Sequence, residues 1–160
     1  MRLTLGILLL CISGLVSAAP LADLVRVFKS ERKLQILSEG KVLHEFHIVL
    51  GGNPKGHKMQ EGDERTPEGT YILDYKKSDS AFYKAIHISY PNAYDIASAR
   101  ARGVNPGGQI MIHGQKNNLG WLSFIGQRFD WTNGCVALSN ADMETLWPTV
   151  KPGTKVEIRP

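Results

Sequence analysis

Cysteine is nearly absent from this chain: Cys11 and Cys135 are the only two among 160 residues. Cys11 lies in an apolar leader that is expected to be removed, so the remaining chain keeps one thiol and has no internal disulfide. An odd cysteine in an exported protein is either paired between chains or kept as a free, reactive thiol; a small buried hydrophobe is the bland alternative. Also missing is any stripe of Lys and Arg to accompany the formal charge of +4, which argues against nucleic acid as a partner. No cluster of metal-ligating residues stands out, and neither a metal nor another cofactor is expected. His44 and His47, three apart in a strand-like run, fall on opposite faces and cannot share one ion. Repeats and low-complexity tracts are lacking too. With 42% hydrophobic and 21% charged residues, the composition is that of a globular domain rather than a disordered chain.

The N-terminus reads as a targeting segment. Met1-Arg2 is a short positive start, Leu3 to Val16 is almost entirely apolar, and Ser17-Ala18-Ala19 offers the small residues of a cleavage site. We expect residues 1–19 to be a signal peptide and residues 20–160 to form a single domain. The apolar run is too short, and too close to the cleavage site, to act as a stable membrane anchor. Leu10 precedes Cys11 where lipidation would need a small residue.

The rest predicts a mostly β chain with a few short helices. Strand-like runs are LVRVF (24–28), KLQIL (33–37) and KVLHEFHIVL (41–50), separated by Ser30-Glu31-Arg32 and Ser38-Glu39-Gly40 as turns. Gly51 to Gly69 is rich in Gly, Pro and charge and long for a loop in a small domain, a common property of functional loops. His57 and Lys58 are placed to reach a substrate from it, or else are solvated. Further strands are expected over 71–75, 85–90, 109–112 and 155–158. Helices are expected at 93–102, capped by Asn92, and from the Ser139 cap through Trp147.

The chemistry concentrates between Gly107 and Ser139, where His113-Gly114 and Gly134-Cys135 flank an aromatic-rich spacer. The thiolate is the nucleophilic form of cysteine, and a nearby imidazole promotes it. Gly134 permits a tight turn that aims backbone N–H groups at a carbonyl under attack, which is the geometry of an oxyanion hole. These residues alone are also compatible with a core histidine and an inert thiol.

The segments IMIHG and TNGCVALS, together with Thr66-Pro67-Glu68-Gly69-Thr70-Tyr71, Ile86-His87-Ile88-Ser89-Tyr90-Pro91 and the strand-rich start ending in Leu50-Gly51, resemble the YkuD-type L,D-transpeptidases of bacterial cell walls. The resemblance spans about Leu24 to Ile158. It implies an L,D-transpeptidase-like β-sandwich or barrel catalytic domain, with Cys135 as nucleophile and His113 as proton donor and acceptor. It also implies a turn and oxyanion site shaped by Thr132, Asn133 and Gly134. The implied location is the periplasm or cell envelope, and the implied partner is the peptidoglycan stem peptide, with a wall-linked lipoprotein as a further candidate. The reaction would be acyl transfer through a Cys thioester, ending on an amine in transpeptidation or on water in L,D-carboxypeptidation. A domain that binds peptidoglycan without turnover is the reading of another class.

The chain departs from the family pattern at two positions beside the cysteine. Asn133 stands where many members have a second histidine, and Ala137 where many have arginine; the spacer from His113 to Thr132 is also slightly long. These features resemble the branch with hydrolytic relatives, so a hydrolytic or mixed outcome is expected, and Ala137→Arg is expected to shift it towards cross-linking. Within the spacer, Phe129 and Trp131 are expected in the core and Trp121 is open between core and substrate wall. Arg128 is a candidate contact to a substrate carboxylate, and His57 and Trp121 are further candidate substrate contacts.

Overall fold

Alternation of apolar and polar residues sets the first two strands. In β1 (Leu24–Phe28), Val25 and Val27 are buried while their neighbours are half-exposed, and β2 (Lys33–Ser38) buries Leu34 and Ile36 against them. The turn between them places Arg32 at φ +49°, and the next turn places Glu39 and Gly40 at φ +50° and +76° before β3 (Lys41–His47). The computed structural model describes residues 20–119, 121 and 123–160; the expected signal peptide lies outside the described residues.

The remaining elements are β4 (Gly69–Lys77), β5 (Ala85–Ile88), α1 (Ala93–Ala101), β6 (Met111–His113), α2 (Ser123–Gly126), β7 (Val136–Ala137), α3 (Asn140–Thr149) and β8 (Thr154–Arg159). The eight strands form one sheet in the order β3-β2-β1-β8-β4-β5-β6-β7. β1 lies between β2, antiparallel, and β8, parallel, so the last strand is inserted next to the first. One extra residue on β4 between Leu73 and Lys76 bulges its pairing with β5. All four residues of β5 are buried, as expected of a central strand with both faces covered.

The sheet also curls on itself. Beyond β3, Val49 bridges Ala137 with reciprocal N–H···O bonds of 2.9 Å, and Gly51 bridges Thr132. The outermost strands are thereby tied together next to Cys135. Inside the curl lies one apolar core that includes Leu34, Ile36, Leu50, Leu73, Ile86, Ile112, Val136, Leu138, Val156 and, from α3, Met143 and Leu146. Each such side chain contributes about 1.5–3 kcal/mol by leaving water. The mostly β architecture with short helices is thus the one expected of an L,D-transpeptidase-like domain.

Helix boundaries follow their caps. Asn92 accepts from the N–H groups of Tyr94 and Asp95, and Asp95 returns a bond from the Asn92 N–H, a complete capping box. Ser139 caps α3 by accepting from the Asp142 N–H at 3.0 Å.

Candidate active site

β6 and β7 run parallel with Ile112 opposite Val136 and His113 opposite Ala137. One step back along the same register sets Met111 beside Cys135. Because side chains alternate, Ile112 and Val136 enter the apolar core, whereas Met111, His113, Cys135 and Ala137 share the other face. The register therefore puts the thiol and the imidazole on one face, two positions apart along neighbouring strands. The bond from the Met111 N–H to Cys135 Sγ, 3.4 Å, confirms that the sulfur turns towards β6. On its other side the thiol faces the carbonyl oxygen of Gln109 at 3.7 Å.

His113 is 2% exposed and held from three directions. Its Nδ1 lies 2.6 Å from the carbonyl oxygen of Gly114. A carbonyl only accepts, so Nδ1 carries the proton and Nε2 is left as the basic nitrogen. The ring of Phe82 packs against the imidazole at a centroid distance of 4.2 Å, and Trp131 meets it edge-on at 5.9 Å. Burial among these rings pushes the imidazole down to about 4, against the opposing pull of the Gly114 carbonyl. At neutral pH His113 is therefore an uncharged base. Burial likewise pushes the Cys135 thiol up, opposed by the Met111 N–H and by the ammonium of Lys58.

The turn before the cysteine is clamped by one hydroxyl. Thr132 Oγ1 donates to the Cys135 carbonyl at 2.8 Å and accepts from the Gly134 N–H at 3.1 Å. Gly134 has φ +119°, and a Cβ there would lie 2.5 Å from the Arg65 carbonyl oxygen, so two constraints require glycine. The clamp occupies the Gly134 N–H, which removes it from any oxyanion hole. Among the described residues, the N–H groups of Asn133 and Cys135 in this turn have no acceptor. Asn133 is exposed at the rim of a cavity of about 350 Å³ shared with Lys58, Glu61, Gly62, Glu64, Gly107 and Gly108.

The other candidates lie elsewhere. His57 accepts from the Glu68 N–H at Nδ1 (3.0 Å) and pairs through Nε2 with Asp95 at 3.1 Å, joining the long loop to α1. The cavity it lines, with Glu68, Tyr71, Asn92 and Asp95, contains neither Cys135 nor His113. Trp121, 74% exposed, and Arg128 stand on the outer surface of the segment between the dyad residues. The expectation that Phe129 is core is overturned: it is 67% exposed. Asp130, half-buried, ties that segment to the body, gripped by Arg32 Nε at 3.0 and 3.1 Å and accepting from the Leu50 N–H at 2.9 Å, while the adjacent Phe129 stays outside. The same expectation fails for Trp131, which is 36% exposed, with its indole N–H on the Gly126 carbonyl at 2.9 Å.

Sequence reasoning missed Phe82 and the Gly114 carbonyl, since a stacked ring and a backbone acceptor have no local signature. It also left Lys58 as a solvated alternative, whereas its side chain is buried on Asp63. A lysine flanked by Gly, Pro and acidic residues gives no hint of which partner closes over it. Among the described residues there is no group of three or more side chains suited to a metal, and no helix long and apolar enough to cross a membrane.

Comparison with known proteins bears on the fold and the family. The family model described as the YkuD L,D-transpeptidase catalytic domain matches residues 22–158. YafK of Escherichia coli K12 is 35% identical over 112 residues, which is 66% of this chain and 44% of YafK. Among solved structures, the helical cell shape determining protein Pgp2 of Campylobacter jejuni superimposes with a TM-score of 0.65 at 29% identity, covering 86% of this chain and 47% of Pgp2. Bd1075 of Bdellovibrio bacteriovorus, 22% identical with a TM-score of 0.58 over 88% of this chain and 51% of its own, shares the fold. The chain thus spans about half the length of these relatives. With a family match over nearly all of the described residues, the chain belongs to the YkuD family of L,D-transpeptidase catalytic domains.

Proposed function

We propose that this protein is a cysteine acyl-transferase of peptidoglycan stem peptides, with Cys135 as nucleophile and His113 as general base and acid. The observation that carries the reading is the shared face of β6 and β7, where the Met111 N–H orients the sulfur and the Gly114 carbonyl fixes Nε2 of His113 as the proton acceptor. We further propose export to the cell envelope by residues 1–19, with residues 20–160 as one catalytic domain and Asn133 at the substrate rim.

The chemistry starts from a neutral pair. As the Cys135 sulfur attacks the carbonyl carbon that joins the third, diamino residue of the stem to its terminal D-Ala, the thiol proton passes to His113 Nε2. The carbonyl oxygen becomes an oxyanion, stabilised by the Cys135 N–H. His113 then returns the proton to the departing amine, D-Ala leaves, and the acyl group stays on sulfur as a thioester. An amine or a water molecule, deprotonated by the same Nε2, attacks the thioester and releases Cys135.

We place hydrolysis beside transfer because Ala137, next to His113, has no exposed surface and no side chain to hold an acceptor strand. His57, Trp121 and Arg128 serve at most the outer reaches of the substrate, and a wall-linked lipoprotein remains a candidate acceptor. Mass spectrometry of purified disaccharide-tetrapeptide incubated with the protein tests the reading. Loss of D-Ala by the wild type, and none by Cys135→Ser, is the expected outcome; equal loss by both proteins would remove Cys135 from the mechanism.

A further inference from the structure

Lys58 is an anomaly in its loop. It sits within a Gly- and Pro-rich surface segment, yet the residue is 3% exposed. Its ammonium donates to the Gln60 carbonyl at 3.1 Å and to Asp63 Oδ1 at 2.9 Å. Asp63 has other support: it also accepts from the N–H groups of Met59, Gln60 and Arg65 at 2.6, 3.1 and 3.1 Å. A carboxylate with three backbone donors is stable without an ammonium, and a buried ion pair is seldom a net gain over apolar packing. Loop folding alone gives a weak reason to bury this charge.

Its surroundings give a better one. The backbone immediately after Asp63 is the floor of the cysteine turn: a Cβ on Gly51 would collide with the Glu64 carbonyl oxygen, and one on Gly134 would meet the Arg65 carbonyl oxygen at 2.5 Å. Lys58 lines the cavity that also touches Asn133, two residues before Cys135, and Gly108, next to the Gln109 whose carbonyl faces the sulfur. The charged groups in the cavity lining are Lys58, Glu61 and Glu64, with Asp63 behind them; Arg65, in the floor of the turn, sends its guanidinium towards Gly56, Arg102 is bonded to the Met59 carbonyl at 2.6 Å, and β6 contributes His113, uncharged at neutral pH. Glu61 is partly occupied by the Asn105 amide at 2.7 Å. Lys58 is thus the cation of a cavity lining whose carboxylates disfavour a thiolate.

We propose that Lys58 is a positioning residue for the reaction: its buried ammonium, held by Asp63 beneath the Cys135 turn, provides the positive potential in which the sulfur takes up negative charge. This rests on Cys135 being the nucleophile. It supplies what a neutral His113 does not, because no imidazolium stands ready to pair with the thiolate. Glu64, in the same wall, acts with the opposite sign.

The test is the pH dependence of Cys135 alkylation by iodoacetamide, which needs no substrate. A cation favours thiolate, so its removal raises the midpoint. Lys58→Met is expected to move it up by about half to one pH unit, less than for an uncompensated charge because Asp63 is close. Lys58→Arg should restore it, and turnover by Lys58→Met should lose kcat with KM held. Glu64→Gln, at an exposed residue, should move the midpoint down even if Lys58→Met folds poorly. A folded Lys58→Met with the wild-type midpoint overturns the proposal, as does a Glu64→Gln midpoint that stays or rises. Stem-peptide turnover by Cys135→Ser would instead sink the assigned nucleophile, a separate failure read in a separate assay.

Discussion

The two walls of the cleft differ in how they are held. On one side, His113, Thr132, Gly134 and Cys135 stand on backbone that is paired into the sheet or clamped by a hydroxyl, and three of the four are buried. On the other, the described residues of the segment from Lys116 to Trp131 are pinned to the body at separated points. Asn117 reaches the Ser80 carbonyl at 2.8 Å, the Gln127 carbonyl lies 3.0 Å from His47 Nε2, and Asp130 is gripped by Arg32. Between these points Leu119, Trp121, Ile125 and Phe129 are left at the surface. A wall whose atoms are fixed within the sheet suits bond-making chemistry; a wall of exposed rings pinned at intervals suits contact with a varied, extended substrate. Trp131 belongs to both, since it closes over His113 and lies next to the Asp130 anchor.

If the inner wall carries the chemistry, its substitutions should remove activity out of proportion to stability. Cys135→Ser deletes the nucleophile in a near-isosteric exchange, so turnover should vanish while the thermal midpoint stays close to wild type. His113→Ala should lower kcat by roughly 10²–10⁴-fold, the usual weight of a general base. Measured kcat within threefold of wild type in that variant would reassign the proton transfer.

The inner wall should also leave a mark on stability against pH, in a window set by His113. Its pKa is about 4 in the folded protein against 6.5 for a free histidine, because burial disfavours the cation. Between those values the unfolded chain binds a proton that the folded one refuses, so stability rises with pH across the window and is complete above 6.5. Acidifying to pH 4 should cost up to about 3 kcal/mol from this group. Urea titrations of wild type and His113→Gln should differ in slope over pH 4–6.5, the variant being flatter. Identical slopes would mean that the imidazole is not held neutral by its surroundings.

The uneven legibility of the chain follows the same division. Alternating residues announced β1 and β2, and Asn92 and Ser139 announced both longer helices, because strand faces and caps are local physics. The candidate pair, Cys135 and His113, was picked out through the glycines beside them, of which Gly134 is required by its turn. What was hidden depended on distant chain: the parallel β1–β8 pair, the bridge from Val49 to Ala137, the Phe82 ring over His113, and the Asp63 that buries Lys58. Phe129 and Trp131 misled because aromatics in a short spacer read as core, whereas this segment is tied to the body through Asp130 and leaves both rings exposed.

Ala137 separates two ideas that the sequence alone merges. An arginine here is the family's common choice, and restoring it is the obvious way to seek more cross-linking. In this fold, however, Ala137 has no exposed surface and its backbone is bonded both ways to Val49. An arginine must force apart the closure of the sheet or bury its charge unpaired, and overpacking alone typically costs about 1–3 kcal/mol. Ala137→Arg is therefore expected to lower the thermal midpoint and overall activity together, leaving the ratio of cross-linked dimer to hydrolysed tripeptide unchanged. A stable variant that makes more dimer would show that the acceptor contact, not the packing, governs this position.

The smallest effects are expected on the outer wall, and they test whether its exposed rings do anything at all. Phe129 is two-thirds exposed, so its truncation removes little burial and should change stability by no more than about 0.5 kcal/mol. If the segment is a contact surface, Phe129→Ala should raise KM for a disaccharide-tetrapeptide a few-fold and leave kcat alone, since a contact made equally in ground and transition states affects binding only. Arg128→Ala should behave likewise if its guanidinium meets a substrate carboxylate. The two together should add, because neither is expected to rearrange the other's surroundings. A drop in kcat from either would tie the outer wall to the chemistry through Trp131 and blur the division of labour; unchanged KM in both would leave the rings without a role in substrate contact.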